Sequence, residues 1–122
     1  MKIRKVRVGI KDLKTALNEF VGIAKDIEHG KPVKKEKGVY FTGVEAFRKA
    51  ITPKRLALLH AIRTEKPSSV RWLSEIAERD VSTDIKFLEQ VGLVDIKRDD
   101  EPEKEIMPFV GYDKILFEIA VS

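Results

Sequence analysis

Between Leu56 and Val94 the chain is punctuated in a way that leaves few choices for its folding. Apolar residues recur at helical spacing in three successive pieces. Pro67-Ser68-Ser69 opens the second piece, Glu78-Arg79 marks a tight turn, and Gln90-Val91-Gly92 closes the third before the apolar strand start Leu93-Val94. Glycine just past a periodic run ends a helix because it adopts left-handed backbone without a Cβ clash. Helix, helix, tight turn, helix and strand is the order of a winged helix-turn-helix, and it makes nucleic-acid binding the first function to consider.

Thr52-Pro53 is a strong helix opening, since the threonine hydroxyl can cap free backbone N–H groups and proline at the first position forfeits no bond. The helix it opens, Pro53 to about Glu65, is expected to bury Leu56, Leu59 and Ile62, with Leu58 alongside. His60 sits among these positions and its only companion, His29, is distant in sequence, so it reads as structural and not catalytic. The next helix, capped by Ser68 or Ser69, carries the stripe Val70, Leu73, Ile76 and Ala77. Trp72 lies one position off that stripe and reads as cover for the side of the domain, with a partner contact as the alternative. The third helix, Val81 to Val91, has Asp80 or Ser82 as its cap and buries Val81, Ile85, Leu88 and either Phe87 or Val91. Ser82, Thr83, Lys86 and Gln90 then face outward, as short polar and cationic side chains must to reach base edges and phosphates in a major groove.

Past Gly92, residues 93–98 alternate as a strand and residues 105–110 return, which forms a hairpin wing. Lys97 and Arg98 stand at its base. Its tip carries carboxylates at positions 99, 100, 101, 103 and 105 beside Lys104, so the tip itself is a poor DNA contact. Lys114 to Val121 reads as a last strand with Ile115, Phe117, Ile119 and Val121 on one face. Before the helical core, residues 2–8 alternate Lys5 and Arg7 against Val6 and Val8 as a strand. Residues 12–28 place Leu13, Ala16, Leu17, Phe20, Ala24 and Ile27 on one side of a helix, with Asp12 as cap and Gly30 past its end. A glycine-bounded basic loop with Lys31, Lys34, Lys35 and Lys37 leads to the strand Val39–Thr42 and a short helix, Val44 to Ala50. The expected class is α+β: residues 1–51 as a strand-helix-strand extension and candidate dimerisation element, and residues 52–122 as the winged helix-turn-helix.

Charge is divided along the chain. Residues 1–66 carry 17 Lys+Arg against 7 Asp+Glu, a net of +10, and residues 67–122 carry 7 against 13, a net of −6. A polyanion is attracted to the first half and repelled by the second unless its carboxylates are turned away or paired. The alternatives are attraction between the halves, or a basic protein partner for the acidic half. At 122 residues the chain can bury one modest core. It has no cysteine, which excludes disulfides and thiolate metal sites. Its charged first residues lack the apolar run of a leader or membrane span, so the expectation is a soluble cytoplasmic protein with no membrane partner. No glycine-rich phosphate loop, Ser/His/Asp arrangement or histidine-carboxylate metal spacing is present, so no enzyme activity, metal or cofactor is expected.

The segment Val39-Tyr40-Phe41-Thr42-Gly43-Val44-Glu45-Ala46-Phe47-Arg48-Lys49-Ala50-Ile51-Thr52-Pro53-Lys54-Arg55-Leu56, with Ser69-Val70-Arg71, Arg79-Asp80-Val81, Gly92-Leu93-Val94 and Tyr112-Asp113-Lys114-Ile115, resembles a group of small prokaryotic winged-helix proteins common in archaea. These are described as DNA-binding or transcriptional regulators, with a fold related to the multiple-antibiotic-resistance regulators. Thr52-Pro53-Lys54-Arg55-Leu56 is the most specific part, and between Leu73 and Gly92 the chain is a few residues shorter than that group. The resemblance implies a dimeric transcription regulator that binds double-stranded DNA. In that expectation Ser82, Thr83 and Lys86 enter the major groove beside Gln90, Arg71 and Arg79 hold flanking phosphates, and Lys97 and Arg98 approach from the wing. The rival expectation is a protein-binding module, such as an antitoxin or co-regulator, using the acidic half.

Overall fold

In the computed structural model the described residues are 3–30, 38–97 and 106–119. The basic loop, the acidic hairpin tip with Arg98, and Val121 lie outside them. The element order is β1 (Lys5–Ile10), α1 (Leu13–Glu28), β2 (Gly38–Phe41), α2 (Val44–Ala50), α3 (Pro53–Glu65), α4 (Val70–Ala77), α5 (Ser82–Val91), β3 (Asp95–Lys97), β4 (Met107–Phe109) and β5 (Lys114–Ile119). The architecture is a mix of α and β elements in two units. One comprises Met1–Lys5 and Ile51–Lys114, the other Val6–Ala50 and Ile115–Ser122. The chain passes between them at residues 50 and 51, and β5 belongs with the N-terminal elements instead of the helical core it follows.

The helical unit is built around Leu58, Leu59, Ile62, Leu73, Val81, Ile85, Leu88, Leu93, Val94 and Val110, all buried. Its helices begin and end on side-chain and backbone signals. The Thr52 hydroxyl accepts the Arg55 N–H at 3.2 Å and Pro53 occupies the first turn of α3. The buried Ser69 hydroxyl accepts the Trp72 N–H at 3.0 Å and starts α4. Lys66 and Glu78 close α3 and α4 in left-handed backbone, with φ of 48° and 57°, and Gly92 closes α5 at φ 90°. The Leu93 and Val94 N–H groups then donate to the Leu88 carbonyl, which turns the chain directly into β3.

The apolar phase of α3 differs from the expected one. Leu58, Leu59 and Ile62 face the core, Leu56 is left exposed, and His60 points outward, offering only its carbonyl to the Thr64 hydroxyl. Spacings of three and six residues had favoured Leu56, but one helix side spans Leu58, Leu59 and Ile62 equally well. Ile76 and Trp72 are likewise partly exposed, at 43% and 39%. On α5, Val81, Ile85 and Leu88 are buried as expected, with Phe87 and Val91 half-buried.

β3 and β4 form an antiparallel hairpin in the register Asp95↔Phe109, Ile96↔Pro108 and Lys97↔Met107. The Val70 N–H donates to the Ile106 carbonyl at 3.0 Å, which ties the start of α4 to the returning arm. Tyr112 donates its hydroxyl hydrogen to the Leu93 carbonyl at 2.9 Å, and burial followed by the nearby Asp95 charge pushes its pKa well above 10.0. The Asp113 carboxylate accepts the Arg4 N–H at 2.9 Å and pairs with the Arg63 guanidinium at 2.5 Å, and these bonds hold its pKa below the ordinary value.

The second unit is a three-stranded sheet in the order β2-β1-β5, with α1 as the crossover between the parallel β1 and β2. Arg7 pairs with Gly38 and Ile10 with Phe41, so Gly9 and Gly38 lie on the Tyr40 face of the sheet. A Cβ on Gly38 would stand 2.5 Å from the Tyr40 ring, and one on Gly9 2.7 Å from the Glu118 carbonyl, so only glycine lets the ring lie against the strands. Lys11 stacks over that ring at 3.7 Å and bonds Glu19 at 2.6 Å, while Arg7 pairs with Glu118 at 3.3 Å. Phe47 of α2 meets Phe41 and Phe117 edge to face. Among the described residues Val6, Val8 and Ala50 are the buried apolar ones here. The apolar side of α1 is largely open. Leu17, Phe20 and Ile27 are 55%, 70% and 64% exposed, and Ala24 is exposed too. Among the described residues no helix is long and apolar enough to cross a membrane.

Candidate nucleic-acid interface

α4 and α5 are joined by residues 78–81, a turn of the length that helix-turn-helix pairs use. Its geometry is locked from inside. Glu78 takes the left-handed conformation, the Arg79 N–H donates to the Ser74 carbonyl at 3.2 Å, and the Val81 N–H donates to the Ser74 hydroxyl at 3.2 Å. Val81 occupies the N-cap position of α5 without a side-chain cap. Neither expected cap residue stands there. Instead the Asp80 carboxylate accepts both the N–H and the hydroxyl of Ser82, at 2.9 and 2.7 Å. The Ser82 hydroxyl hydrogen bond, then its backbone N–H, lower the Asp80 pKa, and the Lys86 charge adds to this.

Along the outward side of α5, Ser82, Thr83, Lys86 and Gln90 are exposed, which places the four residues picked out by periodicity on one accessible face. Of these, Ser82 is held by Asp80. Arg71 is exposed at the start of α4, and Lys97 is exposed on β3 with its ammonium 4.6 Å from the centre of the Phe109 ring. That cation–π contact orients the Lys97 stem while leaving donors for an anion. Arg98 lies outside the described residues. Glu75, Glu78 and Asp80 are also exposed, so the surface around the turn carries both signs of charge.

Arg79 has a partner that sequence spacing did not reveal. Its guanidinium bonds Asp84 at 2.8 Å, and Arg55 of α3 bonds the other carboxylate oxygen at 3.0 Å. Arg55 also lies over the Phe87 ring, 4.1 Å from its centre. Partial burial works to raise the Asp84 pKa, but the hydrogen bonds from Arg79 and Arg55 outweigh it and leave the carboxyl below its ordinary range. The three side chains are only 18–31% exposed, so the pairs are shielded better than surface ion pairs. The clamp fixes α5 against α3 and the turn, and directs much of the Arg79 charge inward. It also gives the charge division a structural outlet, because Arg55 and Arg63 of the basic half neutralise Asp84 and Asp113 of the acidic half.

A shallow groove of about 270 Å³ runs between α3 and α4, lined by Ala57, Leu58, Ala61, Leu73, Ile76 and Ala77 with Lys54 and Arg79 at its edge. It holds no convergent set of titratable groups. His60 and His29 belong to different units, and no group of three or more metal-ligating side chains occurs among the described residues.

The chain belongs to the HVO_A0114 family, whose sequence pattern matches residues 50–117. That match takes in α3, α4, α5, the hairpin and most of β5, and leaves β1, α1 and β2 outside it. No curated protein and no solved structure matches the chain.

Proposed function

We propose that the chain is a DNA-binding transcription regulator of the winged helix-turn-helix type, with α5 as the reading helix and the β3–β4 hairpin as the wing. The observation that carries this reading is the outward face of α5, where Thr83, Lys86 and Gln90 stand together after a short, internally bonded turn. Such a face suits a major groove: Lys86 offers donors to guanine O6 and N7 or to phosphate, and Gln90 can both donate and accept at adenine. Arg71 and Lys97 flank it as exposed cations. The Asp84 clamp supports the reading from behind, since a helix that enters a groove must be held rigidly on its scaffold.

The arrangement sets the salt response. With Arg79 committed to Asp84, each copy brings Lys86 and Lys97 to this surface, and a dimer neutralising about four phosphates loses roughly a hundredfold in affinity between about 50 and 200 mM salt. Selection from random duplexes with the purified chain tests the reading. It should enrich a defined sequence, and Lys86→Ala should weaken binding and relax the preference at one base position. No enrichment, or a flat salt response, refutes it. Glu75, Glu78 and Asp80 beside the apolar groove favour a second reading, a module that docks a basic protein. Under that reading duplex selection fails and a basic partner co-purifies.

A further inference from the structure

We propose that the outward face of α1 is the site where a second copy of this chain packs, helix against helix in antiparallel orientation. This inference does not depend on DNA binding.

The starting observation is a long amphipathic helix with its apolar side uncovered. Around α1, Phe20, Ile27, Leu17 and Val21 are 50–70% exposed, whereas Ile23 is 45% exposed and Asp26 is half-buried. The helix meets its own unit on the flank of Asp26, its one half-buried residue among those described, and Lys11 bonds Glu19 on that flank. Its opposite side is left apolar. Phe20, Ile27, Leu17, Val21 and the smaller Ala24 together offer roughly 500 Å² of apolar surface, at the size where a patch on a soluble protein marks an interaction site. Two such faces brought together remove about 1,000 Å², and their polar rims carry the total into the range of specific interfaces.

Charge selects the occupant and its direction. At 100° per residue, Lys14 and Glu28 fall on the same flank of the apolar face, one in the first turn and one in the last. A two-fold axis beside Phe20 and Val21 places Lys14 of each copy opposite Glu28 of the other. The same axis sets Leu17 against the partner's Ala24, large against small, and brings the two Phe20 rings together at the centre. A surface that complements itself in both shape and charge is what a two-fold interface requires. Antiparallel packing also opposes the two helix dipoles.

The test is the mass of the purified full chain in solution by sedimentation over a wide concentration range. The expected result is a species of twice 13.9 kDa that dissociates on dilution. Phe20→Glu should reduce it to 13.9 kDa with an unchanged circular dichroism spectrum, and Phe20→Ser gives the same reading with a milder change. Since the two-fold axis repeats the pair, Lys14→Glu and Glu28→Lys should each weaken association about four- to twenty-fivefold, twice over what one exposed rim pair does, and together restore it. A wild-type chain that stays at 13.9 kDa at every concentration overturns the proposal. So does a dimer unaffected by Phe20→Glu. Failure of the double swap to restore association overturns the antiparallel pairing.

Discussion

The two units of this chain solve the burial problem differently. Among the described residues of the helical unit ten apolar ones are buried, spread over α3, α4, α5 and the segments next to them. Among those of the sheet unit three are, although α1 alone has more large apolar side chains than that in solvent. The same patterning rule wrote both sequences. It closes on itself only where helices meet at short connections, and a single helix crossing one side of a three-stranded sheet leaves a face unspent. The helical unit therefore encloses most of its large apolar side chains, while the sheet unit leaves those of α1 open.

That contrast can be broken or sharpened by substitution. The largest effect is expected from Leu88→Ala or Leu73→Ala, each with a side chain fully enclosed by the helical unit. Urea titration should show a loss of about 2–5 kcal/mol. Ile27→Ala, on the exposed face of α1, should change the stability of the monomer by less than about 0.5 kcal/mol at concentrations where copies do not associate. Equal losses would erase the distinction between the units.

Next in size is Asp84→Asn. Removing the charge between two partly shielded guanidiniums should cost about 1–3 kcal/mol at neutral pH. Since the folded Asp84 pKa lies below its ordinary 3.8, the stability it contributes is present above that value and declines as pH falls through the folded pKa. Urea titrations taken from neutral pH into this acid range should show the wild type approaching the Asn variant, and a constant gap between them would contradict the role given to the clamp. A smaller loss than this is expected from Ser69→Ala. Loss of the α4 cap should cost about 1 kcal/mol by thermal melting, and a variant as stable as the wild type would mean that the N–H of Trp72 finds another acceptor.

Much of the helical unit was legible because its boundaries are chemical. Thr52-Pro53, Ser69 and Gly92 each carry a local reason to start or stop a helix, and α3 runs over the residues that patterning assigns to it, as α2 does in the sheet unit. The outward set Ser82, Thr83, Lys86 and Gln90 followed from the same periodicity. What patterning did not show is contact over distance. Arg55 and Asp84 are 29 residues apart, so nothing in either neighbourhood announces that they bond or that Arg79 is drawn into the same pair. Hydrophobic spacing told that α1 has an apolar side but not whether anything lies on it. On α3 it identified the helix and misjudged its rotation, because Leu56, Leu58, Leu59 and Ile62 allow more than one buried side.

The strand order β2-β1-β5 bears on how the molecule is made. The backbone of Arg4, just ahead of β1, is held by Asp113, which lies 109 residues later and just before β5. During synthesis the first strand must wait, pairing along one side only, while the whole helical core is translated and free to form from local contacts. Closure of the sheet is then the late, slow event in assembly, governed by the search for a distant segment. Until it happens the nascent chain presents an open β edge, the stage at which a chaperone would have most to protect.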